Sequence, residues 1–166
     1  SLYKQGLLHD MSKYSPTEFW VGAKYYQGTR SPNNAEREDI GYSSAWLHHK
    51  GRNKHHYEYW IDYSMQALPG GMAPVPMPDK YIAEMIMDRI AASKVYMGGE
   101  YTDRSPLDYY YQGTDRAPIH PETKTKLLYV LEMLAEEGEE KTFRFIKEEL
   151  VQHKRCMDWH QLEKAE

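Results

Sequence analysis

The segment from Asp79 to Tyr96 constrains the fold of this chain more than any other. It opens at Pro78 or Asp79, contains no helix breaker, and ends before Gly98 and Gly99. Its apolar residues are spread around nearly the whole helical circumference: Ile82, Ala83, Met85, Ile86, Met87, Ile90, Ala91, Ala92 and Val95. A helix that is apolar on all sides is usually buried. The sequence therefore predicts a long helix in the interior of the protein.

Helix-start signals recur along the rest of the chain. Ser15 to Glu18 and Ser105 to Asp108 each offer a Ser N-cap followed by Pro at the first helical position. Helical patterns also cover Tyr42 to Lys50, Pro121 to about Glu137, and the segment that begins at Glu139. No alternating strand pattern of useful length is present. We expect an all-α fold in which residues 1–166 form a single helical domain.

Composition excludes several classes of protein. The net charge is −4, with acidic and basic residues interspersed, which is not typical of a duplex nucleic-acid binder. Cys156 is the only cysteine, so neither an intrachain disulfide nor a thiolate zinc cluster is expected, which favours a reducing compartment. The longest apolar stretch, from Leu127 to Ala135, is shorter than the ~20 residues of a membrane span. Together with the lack of a secretion signal in Ser1 to Gly6, this predicts a cytoplasmic protein.

His9 and Asp10 form the first candidate metal site. They lie in a segment, Leu2 to Lys13, that has a helical pattern, and in such a helix His9 and Lys13 would share a face. Imidazole and carboxylate together suit Fe, Mn, Zn or Ni, and a carboxylate can bridge two ions. Lys13 could hold an anionic substrate beside them.

A second cluster contains four histidines within nine residues. His48 and His49 end the helix from Tyr42 to Lys50, while His55 and His56 begin a predicted short helix that runs to about Ser64. His49 shares the face of Tyr42, Ala45 and Trp46, so we prefer it to His48 as the inward-facing ligand. The alternative is a solvated polar turn or a pH-sensitive patch. Two His pairs bracketed by Trp46 and Trp60 favour a metal or catalytic role.

Two carboxylates lie four residues apart on the predicted buried helix. Glu84 and Asp88 would share a face and carry a desolvation cost unless they were paired with a cation. The alternative is a buried salt bridge from Asp88 to Arg89 or Lys94. Before this helix, the proline-rich segment from Leu68 to Pro78 predicts an ordered or lid-like loop.

Several of these motifs, in this order, resemble a known superfamily. Leu7 to Lys13 is similar to the helix segment that names the HD-domain metal-dependent phosphohydrolases, and Met87 to Ala92 is similar to their later helix with the last metal-binding Asp. The His-rich turn resembles the extra ligands of HD members with two-metal sites. A closer resemblance is to an uncharacterised family of bacterial and phage HD-like proteins, carried by His9 to Pro16 and Asn53 to Trp60.

The resemblance implies an HD-domain-like helix bundle and a metal-dependent phosphoester hydrolase. One or two divalent ions (Fe, Mn, Zn or Ni) would activate water for attack on phosphorus. Asp10 and Lys13 would be catalytic, and Lys13 and Arg52 would bind the phosphate of a small substrate. A nucleotide is favoured because many Tyr could stack on a base. The implied metal ligands are His9, Asp10, His49, His55 or His56, and Asp88.

Superfamily members usually supply a further His from a helix upstream of the His-Asp pair. Only eight residues precede His9 here, so either the chain continues upstream of Ser1 or another residue fills that position. Two other functions stay open. The same ligands could hold a di-iron centre that reacts with oxygen or peroxide. The chain could also be a non-enzymatic metal-binding interaction module with Leu68 to Pro78 as its contact surface.

Overall fold

The computed structural model describes residues 2–65, 69–113, 117–154 and 159, so Leu68 and Cys156 lie outside the described residues. Within that part the chain is mostly helical, which confirms the all-α prediction. Its α-helices are α1 (Leu2–Leu7), α2 (Pro16–Lys24), α3 (Pro32–Ile40), α4 (Ser44–Lys50), α5 (Asp79–Met97), α6 (Ser105–Tyr111), α7 (Pro121–Glu137) and α8 (Glu139–Phe145). The described sheet is one short antiparallel pair, β1 (Ile61–Tyr63) and β2 (Met72–Pro74).

The core lies where α5 packs against α7 and against the π-helical turn Ile146–Val151 that follows α8. The side chains of Ile82, Ile86, Leu127, Leu131, Ile146 and Leu150 are almost fully buried there. The predicted bounds of α5 and α7 are confirmed to within a residue. This packing fixes α5, which carries Glu84 and Asp88.

The prediction that α5 is buried on all sides is wrong for its outer flank. Met87, Ala91 and Val95 follow one another at four-residue spacing and are exposed. Positions at that spacing lie on the same face of a helix, and no described element covers this face along its whole length. Residue types alone therefore overpredicted the burial of this helix.

The predicted helix from Leu2 to Lys13 is also wrong, because α1 ends at Leu7. Asp10 has a left-handed backbone conformation, with φ of 56°, and a 3-10 turn then spans Met11–Tyr14. Asp is one of the few residues besides Gly that visit this region readily. The break takes His9 and Asp10 out of the helix, so the shared helical face of His9 and Lys13 does not form.

A hairpin replaces the predicted short helix from His55 to Ser64. Tyr57–Trp60 forms a 3-10 turn, and β1 then pairs with β2, with Asp62 opposite Ala73. β2 lies in the proline-rich segment, so that loop is ordered by strand pairing. Gly70 and Gly71 both have positive φ and make the turn between the strands possible. The pattern missed the strands because each has only three residues.

The start of α4 is anchored by a buried carboxylate. Ser43 caps the helix by accepting from the Trp46 amide, and the hydroxyls of Ser43 and Ser44 each donate to Glu36 on α3 at 2.6 Å. Buried carboxylates require such donors. These bonds fix the position of α4 and of the histidines at its end.

Leu131→Ala is expected to lower the free energy of unfolding by about 2–5 kcal/mol, because it leaves a cavity between α5 and α7. Denaturant unfolding followed by circular dichroism measures the change. Val95→Ala is the matched control, since Val95 is exposed, and should change stability by less than about 0.5 kcal/mol. Equal effects of the two substitutions would contradict the assignment of the core.

Candidate metal centre

Side chains from four segments of the chain meet at one cluster. His9 and Asp10 come from the turn after α1, His49 from the end of α4, His55 and His56 from the following loop, and Asp88 from α5. They form two overlapping groups whose ligand atoms all lie within 4.8 Å of one another: Asp10, His49, His55 and His56 in the first, and His9, Asp10, His55 and Asp88 in the second. All six candidate ligands, both His55 and His56 among them, are therefore brought together.

Asp10 belongs to both groups, and its two oxygens have different neighbours. Its Oδ1 is 3.2 Å from His49 Nε2 and 3.4 Å from His55 Nε2. Its Oδ2 is 3.3 Å from His9 Nε2 and 2.5 Å from Lys13 Nζ. Because the two oxygens face different groups, one carboxylate could ligate an ion on each side, as bridging carboxylates do.

Three ligand atoms in the cluster are buried without a hydrogen bond. Asp10 Oδ1, His55 Nε2 and His56 Nε2 have no hydrogen-bond partner among the described residues. Asp10 Oδ1 lies close to two imidazole nitrogens, but no ring N–H is directed at it. Buried polar atoms almost always have partners, and those that lack one need an explanation. A cation between these atoms would satisfy all three.

The outer nitrogens of three histidines are held by carboxylates. His49 Nδ1 lies 2.8 Å from Glu18, and Glu84 Oε1 lies 3.1 Å from His9 Nδ1 and 3.4 Å from His55 Nδ1. In each ring this arrangement leaves Nε2 to face Asp10. Metal-binding histidines usually donate their second N–H to a carboxylate in this way, which fixes the tautomer and the ring orientation.

The sequence pattern gave Glu18 no role in the site and identified Glu84 only as a neighbour of Asp88. Glu18 is buried, and its second oxygen lies 2.6 Å from His48 Nδ1. In the sequence Glu18 was read as the third residue after the Ser15 cap, a position that explains its presence without a site. Only the packing of α2 against α4 shows that its side chain contacts both histidines.

Electrostatics place several of these groups in the protonation states of metal ligands. Burial acts to raise the pKa of Asp10, but close contacts with His49, His9 and Lys13 outweigh it and lower the pKa well below its usual range. Burial, with His55 and His49 close by, lowers the pKa of His56 to about 3. Asp10 is therefore ionised and His56 neutral at pH 7, as metal ligation requires.

His9 differs from His56, since carboxylates surround it. Contacts with Asp10, Asp88 and Glu84 raise its pKa to about 11, although burial opposes the shift. Burial also acts to raise the pKa of Glu84, but hydrogen bonds from His55, His9 and Gln5 lower it to about 2. In the metal-free protein the protonated His9 ring thus occupies the position of a cation among three carboxylates.

The remaining predicted site residues have different surroundings. Lys13 contacts Asp10 while its side chain is 63% exposed, so it lies at the edge of the cluster. Arg52 is exposed and donates to the His48 carbonyl at 3.2 Å, and the described contacts do not bring it to the cluster. The predicted alternative of a salt bridge from Asp88 to Arg89 or Lys94 is wrong. Asp88 contacts His9 at 3.1 Å, and Lys94 pairs with Glu139.

Fold and site together define a helical protein with a buried histidine and carboxylate cluster suited to a cation. A family model, described as a family of unknown function (DUF5662), matches residues 1–133, and the chain belongs to this family. No curated protein and no solved structure gives a significant match to the chain. None of the described helices is both long enough and apolar enough to cross a membrane.

Glu18→Gln is expected to weaken divalent-metal binding by about 10- to 100-fold, the usual cost of removing a carboxylate that orients a histidine ligand. Calorimetric titration with Mn²⁺ or Zn²⁺ measures the change. Glu38→Gln is the matched control, because Glu38 is exposed and pairs only with Arg30 among the described residues. Unchanged affinity in the Glu18 variant would mean that His49 is not a ligand.

Metal binding to the second group is expected to release about one proton per ion at pH 7 to 8. The protonated His9 ring must lose a proton before Nε2 can ligate, because its pKa is about 11 in the metal-free protein. Calorimetry in two buffers of different ionisation enthalpy gives the number of protons released. Binding without proton release would exclude His9 as a ligand.

Proposed function

We propose that this chain is a metal-dependent phosphoester hydrolase with an HD-type site that holds one or two divalent transition-metal ions. The observation that carries the proposal is the set of three buried ligand atoms, on Asp10, His55 and His56, that lack hydrogen-bond partners among the described residues. Without a cation these atoms carry an uncompensated desolvation cost. An ion at this point offsets that cost.

The chemistry of the donor set favours a transition metal. Imidazole nitrogens mixed with carboxylate oxygens suit Fe, Mn, Zn or Ni, whereas Mg²⁺ and Ca²⁺ prefer sites made of oxygen alone. His49 and His56 would serve one ion with Asp10 Oδ1, and His9 and Asp88 would serve the other with Asp10 Oδ2. His55 lies within reach of both groups.

The second group faces the solvent, so substrate would approach from that side. The side chains of His9 and Asp88 are 24% and 31% exposed, whereas those of His49 and His55 are 6% and 2% exposed. A bound ion there would acidify a water molecule and neutralise charge on a phosphate oxygen. Lys13, at the edge of the same group, can donate to a second phosphate oxygen once a substrate competes for its contact with Asp10.

Two further observations support the proposal without bearing directly on activity. The HD resemblance rests on an ordered set of motifs, from the His-Asp pair to the late Asp on a helix. Residues from these motifs lie close together in the structure. The single cysteine favours a reducing compartment, so we place the activity in the cytoplasm. The substrate class is a small phosphorylated compound.

Metal content and phosphatase activity test the proposal directly. We expect wild-type protein purified without chelator to contain near-stoichiometric Fe, Mn, Ni or Zn by elemental mass spectrometry. It should hydrolyse p-nitrophenyl phosphate or its bis-ester, a reaction that a chelator abolishes. Asp10→Ala and Asp88→Ala should lose the metal and the turnover, because each removes a ligand, while their helical circular dichroism is retained.

Asp62→Ala is the matched control, since Asp62 is an exposed carboxylate on β1 and does not belong to either group of candidate ligands. It should keep both metal and activity. Full metal occupancy in both ligand variants would contradict the site. Stoichiometric iron with oxygen consumption but no phosphoester turnover would contradict the hydrolase and support the di-iron alternative instead.

A further inference from the structure

A cleft of about 320 Å³ lies beside the metal centre, outside the cluster of ligands. It is lined by Tyr57 together with Tyr109, Gln112 and Gly113 at the C-terminal end of α6. Tyr57 directly follows the candidate ligand His56. Because successive Cα atoms are about 3.8 Å apart, the wall of the cleft that Tyr57 forms lies close to a candidate ligand.

Arg89, like Tyr57, is next in sequence to a candidate ligand. It directly follows Asp88 on α5, and the polar and charged groups around its guanidinium belong to Tyr57, Tyr109, Glu58 and Asp88. Two of these are the tyrosines of the cleft. A helical residue lies about 100° around the axis from its neighbour, so Asp88 faces His9 while Arg89 points to a different side of α5, where Tyr57 and Tyr109 are close to it.

The Arg89 guanidinium is mostly buried yet forms no hydrogen bond or ion pair with any described residue. A buried charge without a partner is costly. The Glu58 carboxylate is close enough to balance part of the charge, but its buried Oε2 also lacks a hydrogen-bond partner among the described residues. The N–H donors of Arg89 are therefore available to an anion bound beside Tyr57 and Tyr109.

We propose that the cleft binds the aromatic part of a nucleotide-sized phosphoester, with the two tyrosines packing on the aromatic ring and Arg89 holding an oxygen of the phosphate. This inference rests on the proposed function, since it assumes that a phosphate reaches the metal centre next to it. The volume lies at the small end of the range of small-molecule pockets. Planar rings pack well on tyrosine, and guanidinium suits phosphate geometry.

The proposal assigns to Arg89 the phosphate contact that sequence analysis gave to Arg52. Arg52 is exposed and donates to a backbone carbonyl, whereas Arg89 follows Asp88 on α5 and lies close to the two tyrosines of the cleft. The sequence offered no reason to prefer Arg89, because it was read there only as a salt-bridge partner of Asp88. Arg52 now provides a matched control.

Binding of a non-hydrolysable probe tests the proposal separately from catalysis. The probe is the phosphonate analogue of adenosine 5′-monophosphate in which a methylene group replaces the ester oxygen, and it is titrated calorimetrically into the metal-loaded protein. Wild type should bind it at least about tenfold more tightly than ribose 5-phosphate, as expected for stacking of one base on an aromatic side chain. Equal affinity for the two compounds would overturn the aromatic part of the proposal.

Three variants locate the contact. Arg89→Gln and Tyr109→Ala should each weaken probe binding by at least about tenfold, because they remove a charged donor and a stacking surface. Arg52→Gln should leave it unchanged within about twofold. Tyr109 is 60% exposed, so its variant should fold even if loss of Arg89 destabilises the protein. Wild-type affinity in the Tyr109 variant, or weakening in the Arg52 variant, would overturn the proposed site.

Metal content and hydrolysis are measured on the same samples. Both variants of the cleft should retain their metal, because neither residue is a ligand. If the wild type binds the probe but contains no metal and hydrolyses no ester, the proposed function has failed while the cleft stands. If the wild type holds metal and hydrolyses p-nitrophenyl phosphate, yet the variants bind the probe normally, only the assignment of the cleft has failed.

Discussion

The buried Asp10 carboxylate is the contact on which the rest of the site depends. Its two oxygens face His49 and His55 on one side and His9 and Lys13 on the other, so one side chain joins the N-terminal turn to α4 and to the loop after it. The left-handed backbone at Asp10 places it there. Non-glycine residues in this region carry strain and are maintained by their surroundings, often at functional sites.

The groups around Asp10 form an ordered arrangement. Glu18 and Glu84 hold the outer nitrogens of His9, His49 and His55, so the inner nitrogens face a common space. The packing of α5 against α7 and of α2 against α4 fixes both carboxylates relative to the histidines. A cluster of this kind costs free energy when it is empty, because its acceptors are buried without donors. That cost is the physical reason for assigning a cation to it.

The sequence predicted the helices and the ligands better than it predicted their connections. Caps and apolar periodicity located α5 and α7, and the ordered His and Asp motifs identified all six residues of the cluster. The break at Asp10 was missed because local propensity favoured a continuous helix, whereas contacts with residues about 40 and 80 positions away determine the turn. The hairpin was missed because three-residue strands show no period. Glu18 and Arg89 became candidates only when contacts distant in sequence were known.

Anomalous X-ray diffraction from crystals of the metal-loaded protein, recorded at the absorption edge of the bound element, tests the central claim most directly. We expect one or two anomalous peaks next to Asp10, each within bonding distance of a carboxylate oxygen and at least two histidine Nε2 atoms. Two peaks would lie on opposite sides of the Asp10 carboxylate and about 3.5–4 Å apart, as in known two-metal sites. No peak at the cluster in protein shown to contain metal, or a peak bound only by residues outside it, would contradict the account.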